Sequence, residues 1–203
     1  MFVYNMMVGN TSRSSSKSRD RWDRRYRYHL GHQLSDGVPH PYLLEHELKI
    51  PRNGHALDIA AGLGRNTFWL AQRSLHVTAI DISQVACDQI RKRANEMHLS
   101  IDVRCLDVEN CLLPAGPFDL IVNTLFLERS LASQVKDNLV PGGLLIFSTR
   151  LVGGISSESI APAFLLNRGE LRQLFNSLEI LQYREDPSNS KCPNAYLLAR
   201  KPG

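Results

Sequence analysis

The stretch Ala56-Leu57-Asp58-Ile59-Ala60-Ala61-Gly62-Leu63-Gly64-Arg65-Asn66 decides the fold. An apolar run ends in a turn of small residues that opens directly into a helical pattern. Glycine tolerates φ > 0 and lets backbone approach a ligand closely, which marks the first crossover loop of a nucleotide-binding α/β domain. Asp58 stands where the strand gives way to the turn. A fixed negative charge at that point opposes a pyrophosphate at the helix N-terminus. It favours a cation instead. S-adenosylmethionine has an adenosine, a sulfonium and an ammonium but no phosphate, and the turn suits a ligand of that kind.

On either side of this turn the pattern alternates. Apolar, β-branched runs at 55–60, 76–82, 101–107, 118–126 and 143–149 read as strands. Helical stripes lie between them: 66–73, then a helix capped by Ser83 with Ala86, Ile90 and Ala94 on one side, then Leu131, Val135 and Leu139. Strand and helix in this alternation give a parallel sheet. After a long connection, Asn167-Arg168-Gly169-Glu170 makes a capping box for a helix through Phe175. Two last strands, 178–183 and 195–200, have no helix between them and pair as an antiparallel hairpin. The expected fold is a single Rossmann-like α/β domain with a seven-stranded, mostly parallel sheet and an antiparallel C-terminal hairpin.

The chain's 203 residues suffice for one well-buried domain, and 43% hydrophobic with 22% charged residues describes a globular protein. Its net charge of +4 is unevenly placed. Residues 1–30 hold seven basic and two acidic side chains, whereas 31–203 hold 17 and 18. The domain itself is nearly neutral, which argues against a nucleic-acid-binding face. Residues 1–17, rich in Ser and basic side chains, read as a flexible tail, leaving 18–203 as the domain. Helices follow over Trp22 and Tyr26, one turn apart, and over 42–48 after Pro41. No apolar run reaches the roughly 20 residues of a membrane helix, and Met1 to Val8 lacks the basic flank of a signal peptide. Cys87, Cys105, Cys111 and Cys192 have neither metal-ligand nor redox spacing, and the expected setting is cytoplasmic.

Over about residues 20–201 the chain resembles class I S-adenosylmethionine-dependent methyltransferases, most of all the small bacterial tellurite-resistance-type or methyltransferase-domain proteins. The resemblance rests on Trp22-Asp23-Arg24-Arg25-Tyr26, the turn at 57–66, Val77-Thr78-Ala79-Ile80-Asp81-Ile82-Ser83 and Phe118-Asp119-Leu120-Ile121-Val122-Asn123. It continues through Pro141-Gly142-Gly143, residues 164–171 and the closing Leu197-Leu198-Ala199-Arg200-Lys201. Ala60 replaces the first glycine of the family's turn, and 184–194 is short and lacks the histidine of the tellurite-resistance enzymes.

Candidate site residues follow from strand ends and from the resemblance. Asp81 lies 23 residues after Asp58 at a strand terminus, where a carboxylate accepts from ribose hydroxyls or, more plainly, caps the next helix. The resemblance implies that Asp107 meets the adenine amino group and Val108 the ring edge. Gly62 and Gly64 let the loop approach the methionine end, and Tyr26, Ala60, Asn66 and Ile82 complete the cofactor set. Asn123 suits the ammonium, the acceptor or a structural role. Trp22 with Tyr26 forms either a lid or core packing. Arg129 and Arg150 follow strands four and five, placed for an anionic acceptor or as surface charge, and 150–167 is the expected substrate loop. The histidines offer no metal site, and no catalytic set is legible. The implied reaction is in-line methyl transfer to a small-molecule acceptor, where positioning alone supplies on the order of 7–11 kcal/mol. The alternatives are a non-catalytic cofactor-binding protein and an RNA methyltransferase tethered by the basic tail. A nucleotide-dependent oxidoreductase would need glycine or alanine at Thr67, no charge at position 58 and a second domain.

Overall fold

The computed structural model describes residues 8–31, 37–154, 160–187 and 190–203. Its seven strands are β1 (His55–Ile59), β2 (His76–Asp81), β3 (Ile101–Cys105), β4 (Phe118–Thr124), β5 (Leu139–Arg150), β6 (Glu179–Glu185) and β7 (Asn194–Arg200). They form one sheet in the order β3-β2-β1-β4-β5-β7-β6. The first five are mutually parallel, and β7 runs antiparallel to both β5 and β6. The terminal hairpin forms as expected, with its second strand inserted beside β5. Between β1 and β4 the strand order reverses, which opens a crevice at the C-terminal edge of the parallel strands.

Period-two alternation distributes the apolar side chains to two faces. Leu57, Ile59, Ile121, Leu145 and Phe147 pack with α5 (Leu131–Asn138) and α6 (Glu170–Leu174). Their neighbours Ala56, Leu120, Val122, Leu144 and Ile146 pack with α2 (Pro41–Glu45) and α3 (Arg65–Ala71), and Ala79 with α3 and α4 (Gln84–Glu96). With both faces covered, the inner strands lose contact with water, so their runs are nearly continuous in apolar residues. Expected strand boundaries shift by only a residue or two, except at β5. That strand begins at Leu139 and runs through Pro141, opposite a register shift in β4 between Phe118 and Leu120. A proline survives there because the ladder is already interrupted.

Two local expectations change. Glu170 does accept from the Asn167 amide at 2.8 Å, but α6 starts after Gly169, whose φ is 77°, so Asn167 does not cap it. The N-terminal helix α1 spans Val8–Gly31, starting ten residues before the expected boundary of the tail at Ser18. Residues 1–7 lie outside the described residues. Once part of a helix is docked, each further residue adds a backbone hydrogen bond without a new nucleation cost, so serine-rich sequence is carried along.

Candidate active site

The crevice is a cavity of about 730 Å³, within the roughly 300–1,000 Å³ typical of small-molecule sites. Its floor is the turn after β1. Ala60, Ala61, Gly62 and Leu63 line it. Ala60 has φ 54° and Gly62 φ 58°. A Cβ at Gly62 would stand 3.1 Å from the Tyr26 hydroxyl, a tight contact, and its φ favours glycine in any case. Ala60 bears the left-handed conformation at a cost of about 1–2 kcal/mol. Ala60→Gly should therefore raise the unfolding free energy by up to about 1 kcal/mol, the relief being partly offset by unfolded-chain entropy; a thermal melt reads this. Gly64 (φ 85°) begins α3 and is pressed against Phe68 and Ile90, so it supports the turn from behind rather than lining the cavity.

Asp58 also lies behind the turn, a correction to its expected place beside the ligand. Along β1 it alternates with Leu57 and Ile59 and so points with Ala56 towards α3. There Thr67 Oγ1 donates to its carboxylate at 2.6 Å, with 1% of the residue exposed. Burial pushes its pKa up to about 6, against the pull of the Thr67 hydroxyl and Arg65.

Two carboxylates do line the cavity at the ends of β2 and β3. Asp81 accepts from Gly62 N at 2.8 Å and from Ser83 N at 2.9 Å, one bond to each oxygen. It thus joins the ends of β1 and β2 while each oxygen retains a lone pair. Burial raises its pKa, opposed by those two amides. Asp107 closes its own turn by accepting from Glu109 N and Asn110 Nδ2, at 3.1 and 2.9 Å. Ile82 and Val108 complete this wall.

Helix α1 forms the opposite wall. Trp22 and Tyr26 stack with ring centroids 5.7 Å apart, and both line the cavity. Burial, then the charge of Asp81, drives the Tyr26 pKa upward, so its hydroxyl remains a neutral donor. Sequence reasoning missed the residue that holds this helix in place. Asp23 accepts from Ser83 Oγ and from Val85 N, the latter at 3.3 Å, while Arg19 Nε donates to Ile82 O at 3.2 Å. Asp23 therefore caps α4 from 60 residues away in sequence, favourable for a carboxylate at a helix N-terminus. Asp23 adjoins Trp22 in the chain, but its partners lie 60 or more residues away, so no local pattern marks it. Asp23→Ala should cost about 1–3 kcal/mol by stranding buried donors and should speed amide exchange in α1 before the sheet. Exchange that is unchanged in α1 would contradict this placement.

Three further candidates have polar groups engaged within the fold. Asn66 borders the cavity, but its amide is committed: Oδ1 accepts from His40 N at 2.9 Å and Nδ2 donates to Thr124 Oγ1 at 3.0 Å. Asn123 donates to Phe126 O at 2.8 Å and faces a separate apolar pocket, not the crevice. Arg129 also turns away. It pairs with Glu170 and donates to the carbonyls of Ala163 and Leu165 at 2.8 and 2.9 Å, fastening the connection after β5. Arg150 does line the cavity, as do Ile160, Ala161 and Phe164 from that connection.

Residues 56–143 match the family described as a methyltransferase domain. Over this stretch the chain is similar to methyltransferase domains. It is 32% identical over 104 residues to a ubiquinone biosynthesis O-methyltransferase of Coxiella burnetii, covering 47% of this chain and 43% of that one. A protein-L-isoaspartate O-methyltransferase of Bradyrhizobium is 29% identical over 123 residues, covering 57% and 54%. The chain thus spans about half the length of these relatives. Its fold superimposes on TehB from Haemophilus influenzae with TM-score 0.70 at 20% identity, covering 86% of this chain and 66% of that one. It also superimposes on an S-adenosylmethionine-dependent methyltransferase from Mesorhizobium loti, with TM-score 0.63 at 17% identity, covering 77% and 96%.

The cavity offers contacts for a ligand with the groups of S-adenosylmethionine. Asp81 offers acceptors for hydroxyls at the end of β2. At the turn, the Tyr26 hydroxyl lies in the field of Arg25 and Arg65, both cavity residues. Donors and positive charge at that end suit the carboxylate of an amino acid.

Proposed function

We propose that the protein moves a methyl group from S-adenosylmethionine to a small-molecule acceptor. The observation that carries this reading is a single crevice with two chemically distinct halves. Asp81 and Asp107 face one half at the ends of β2 and β3, whereas the half above β4 and β5 is largely apolar. In this reading Asp81 holds the ribose, the Asp107–Val108 corner holds the adenine, and Tyr26 with Arg25 and Arg65 holds the amino-acid end. When bound, the cofactor supplies an electrophilic methyl on a sulfonium. The chain's own contribution is to orient the acceptor atom, exclude water beneath Trp22 and keep the turn rigid. Such positioning meets most of what a displacement with a neutral leaving group requires.

A reduced, cytoplasmic setting accords with the thiols of Cys87, Cys105 and Cys111, and burial pushes that of Cys87 up to about 12. Among the described residues no helix is long and apolar enough to cross a membrane. Titration calorimetry with S-adenosylmethionine tests the cofactor, and release of S-adenosylhomocysteine against an acceptor panel tests the transfer. Correctly folded protein that binds neither nucleoside would end this reading. Binding without turnover on any acceptor would favour a non-catalytic role.

A further inference from the structure

Away from β4 and β5 the cavity is densely charged, Arg21, Arg25, Arg65 and Arg93 lining it together with three carboxylates. Asp81, Asp107 and Glu109 stand at the ends of β2 and β3 and beyond. Past β4 the wall is built from Leu125, Phe126, Ile160, Ala161 and Phe164, and among the described residues its one charged side chain is Arg150. The base of Arg150 is fixed: its carbonyl accepts from Leu166 N at 2.9 Å, and it pairs with Asn194 across the β5–β7 ladder. The residue is only partly exposed. Arg129, Arg168 and Arg184 each pair with a glutamate. Arg150 has no such partner among the described residues. Without a counter-ion among the described residues, a guanidinium drawn partly out of water is unfavourable, and its planar fork matches a carboxylate in two parallel hydrogen bonds.

We propose that the methyl acceptor is an organic carboxylate whose charge pairs with Arg150. Its apolar body lies against Phe126 and Phe164, and a separate oxygen or sulfur nucleophile points towards the Gly62 turn. This rests on the methyl-transfer reading of the same cavity. In the transfer, a lone pair of the nucleophile forms the new bond to carbon. The carbon–sulfur bond breaks with its electron pair left on sulfur, and the nucleophile's proton passes to solvent. The carboxylate serves for recognition and is not itself methylated.

The test uses fluorine NMR on the full chain saturated with S-adenosylhomocysteine, which occupies the Arg25–Arg65 end. The probes are a fluorinated naphthoate and its carboxamide twin. The naphthoate is expected to bind about ten- to a hundredfold more tightly, the range of a charge-assisted contact. Arg150→Gln and Arg150→Met should each erase the difference, and Arg150→Lys should keep part of it, with melting curves reporting that the variants fold. Equal binding of the twins, no naphthoate binding, or a preference that survives both charge-free variants would overturn the proposal. Calorimetry on the same samples separates the two levels. Absence of S-adenosylhomocysteine binding removes the methyl-transfer reading itself, whereas normal binding without naphthoate preference removes only the carboxylate.

Discussion

Asp81→Ala is expected to weaken S-adenosylmethionine binding by at least about a hundredfold, the loss of two hydrogen bonds to a buried charged acceptor. The side chain acts twice. It lines the cavity, and it bonds the amides of Gly62 and Ser83, holding the turn after β1 against the end of β2. Its removal leaves the buried Ser83 amide and the part-buried Gly62 amide without this acceptor, so stability should also fall, by about 1–4 kcal/mol. To separate the two effects, binding is measured by calorimetry well below the variant's melting temperature, with Asp81→Asn alongside. The amide keeps the size of the side chain but turns one acceptor into a donor facing an N–H. It should fold better than Asp81→Ala and still bind poorly. Near-normal affinity in both variants would show that the ribose contact is not made by Asp81.

The opposite balance is expected at Asp58. Its folded-state pKa is raised from 3.8 to about 6 by burial, so the folded protein holds this proton more tightly than the unfolded chain. The stabilisation from that proton is complete below pH 3.8 and is lost as pH rises to about 6. At neutral pH the ionised, buried carboxylate costs up to about 3 kcal/mol. Asp58→Asn keeps an acceptor for Thr67 and removes the charge. It should raise the neutral-pH stability by roughly 1–3 kcal/mol and shrink the gain that the wild type shows on acidification from pH 6 to 4. Cofactor affinity should fall roughly tenfold, because a negative charge behind the turn still attracts a sulfonium and an ammonium through a medium of intermediate dielectric. A lower melting temperature at neutral pH would mean that the hydrogen bond to Thr67 outweighs the desolvation of the charge.

This pair of aspartates shows how far the linear chain can be read. Position at a strand end identified both. Their difference was also written locally, since β1 alternates and Asp58 shares the face of Ala56, which α3 covers with Thr67 nine residues on. A stricter use of the two-residue period would have placed Asp58 behind the turn. Asn123 follows the same rule: it shares a face with Ile121 and turns into the apolar side of the sheet. No comparable signal distinguishes Arg129 from Arg150. Each follows a strand, and what separates them is Glu170, which is 41 residues from Arg129. The docking of α1 through Asp23 on Ser83 spans 60 residues and left no local pattern either.

Sequence by itself determined the order of strands and helices, the close-packed turn and the antiparallel ending, because periodicity, capping and φ preferences act within a few residues. Tertiary structure decided which charges reach the cavity and which are consumed inside the protein. A charged side chain's role depends on the counter-charge nearest in space, and here those partners come from distant elements of the chain. Arg129 is neutralised within the fold, and Arg150 is left facing the crevice.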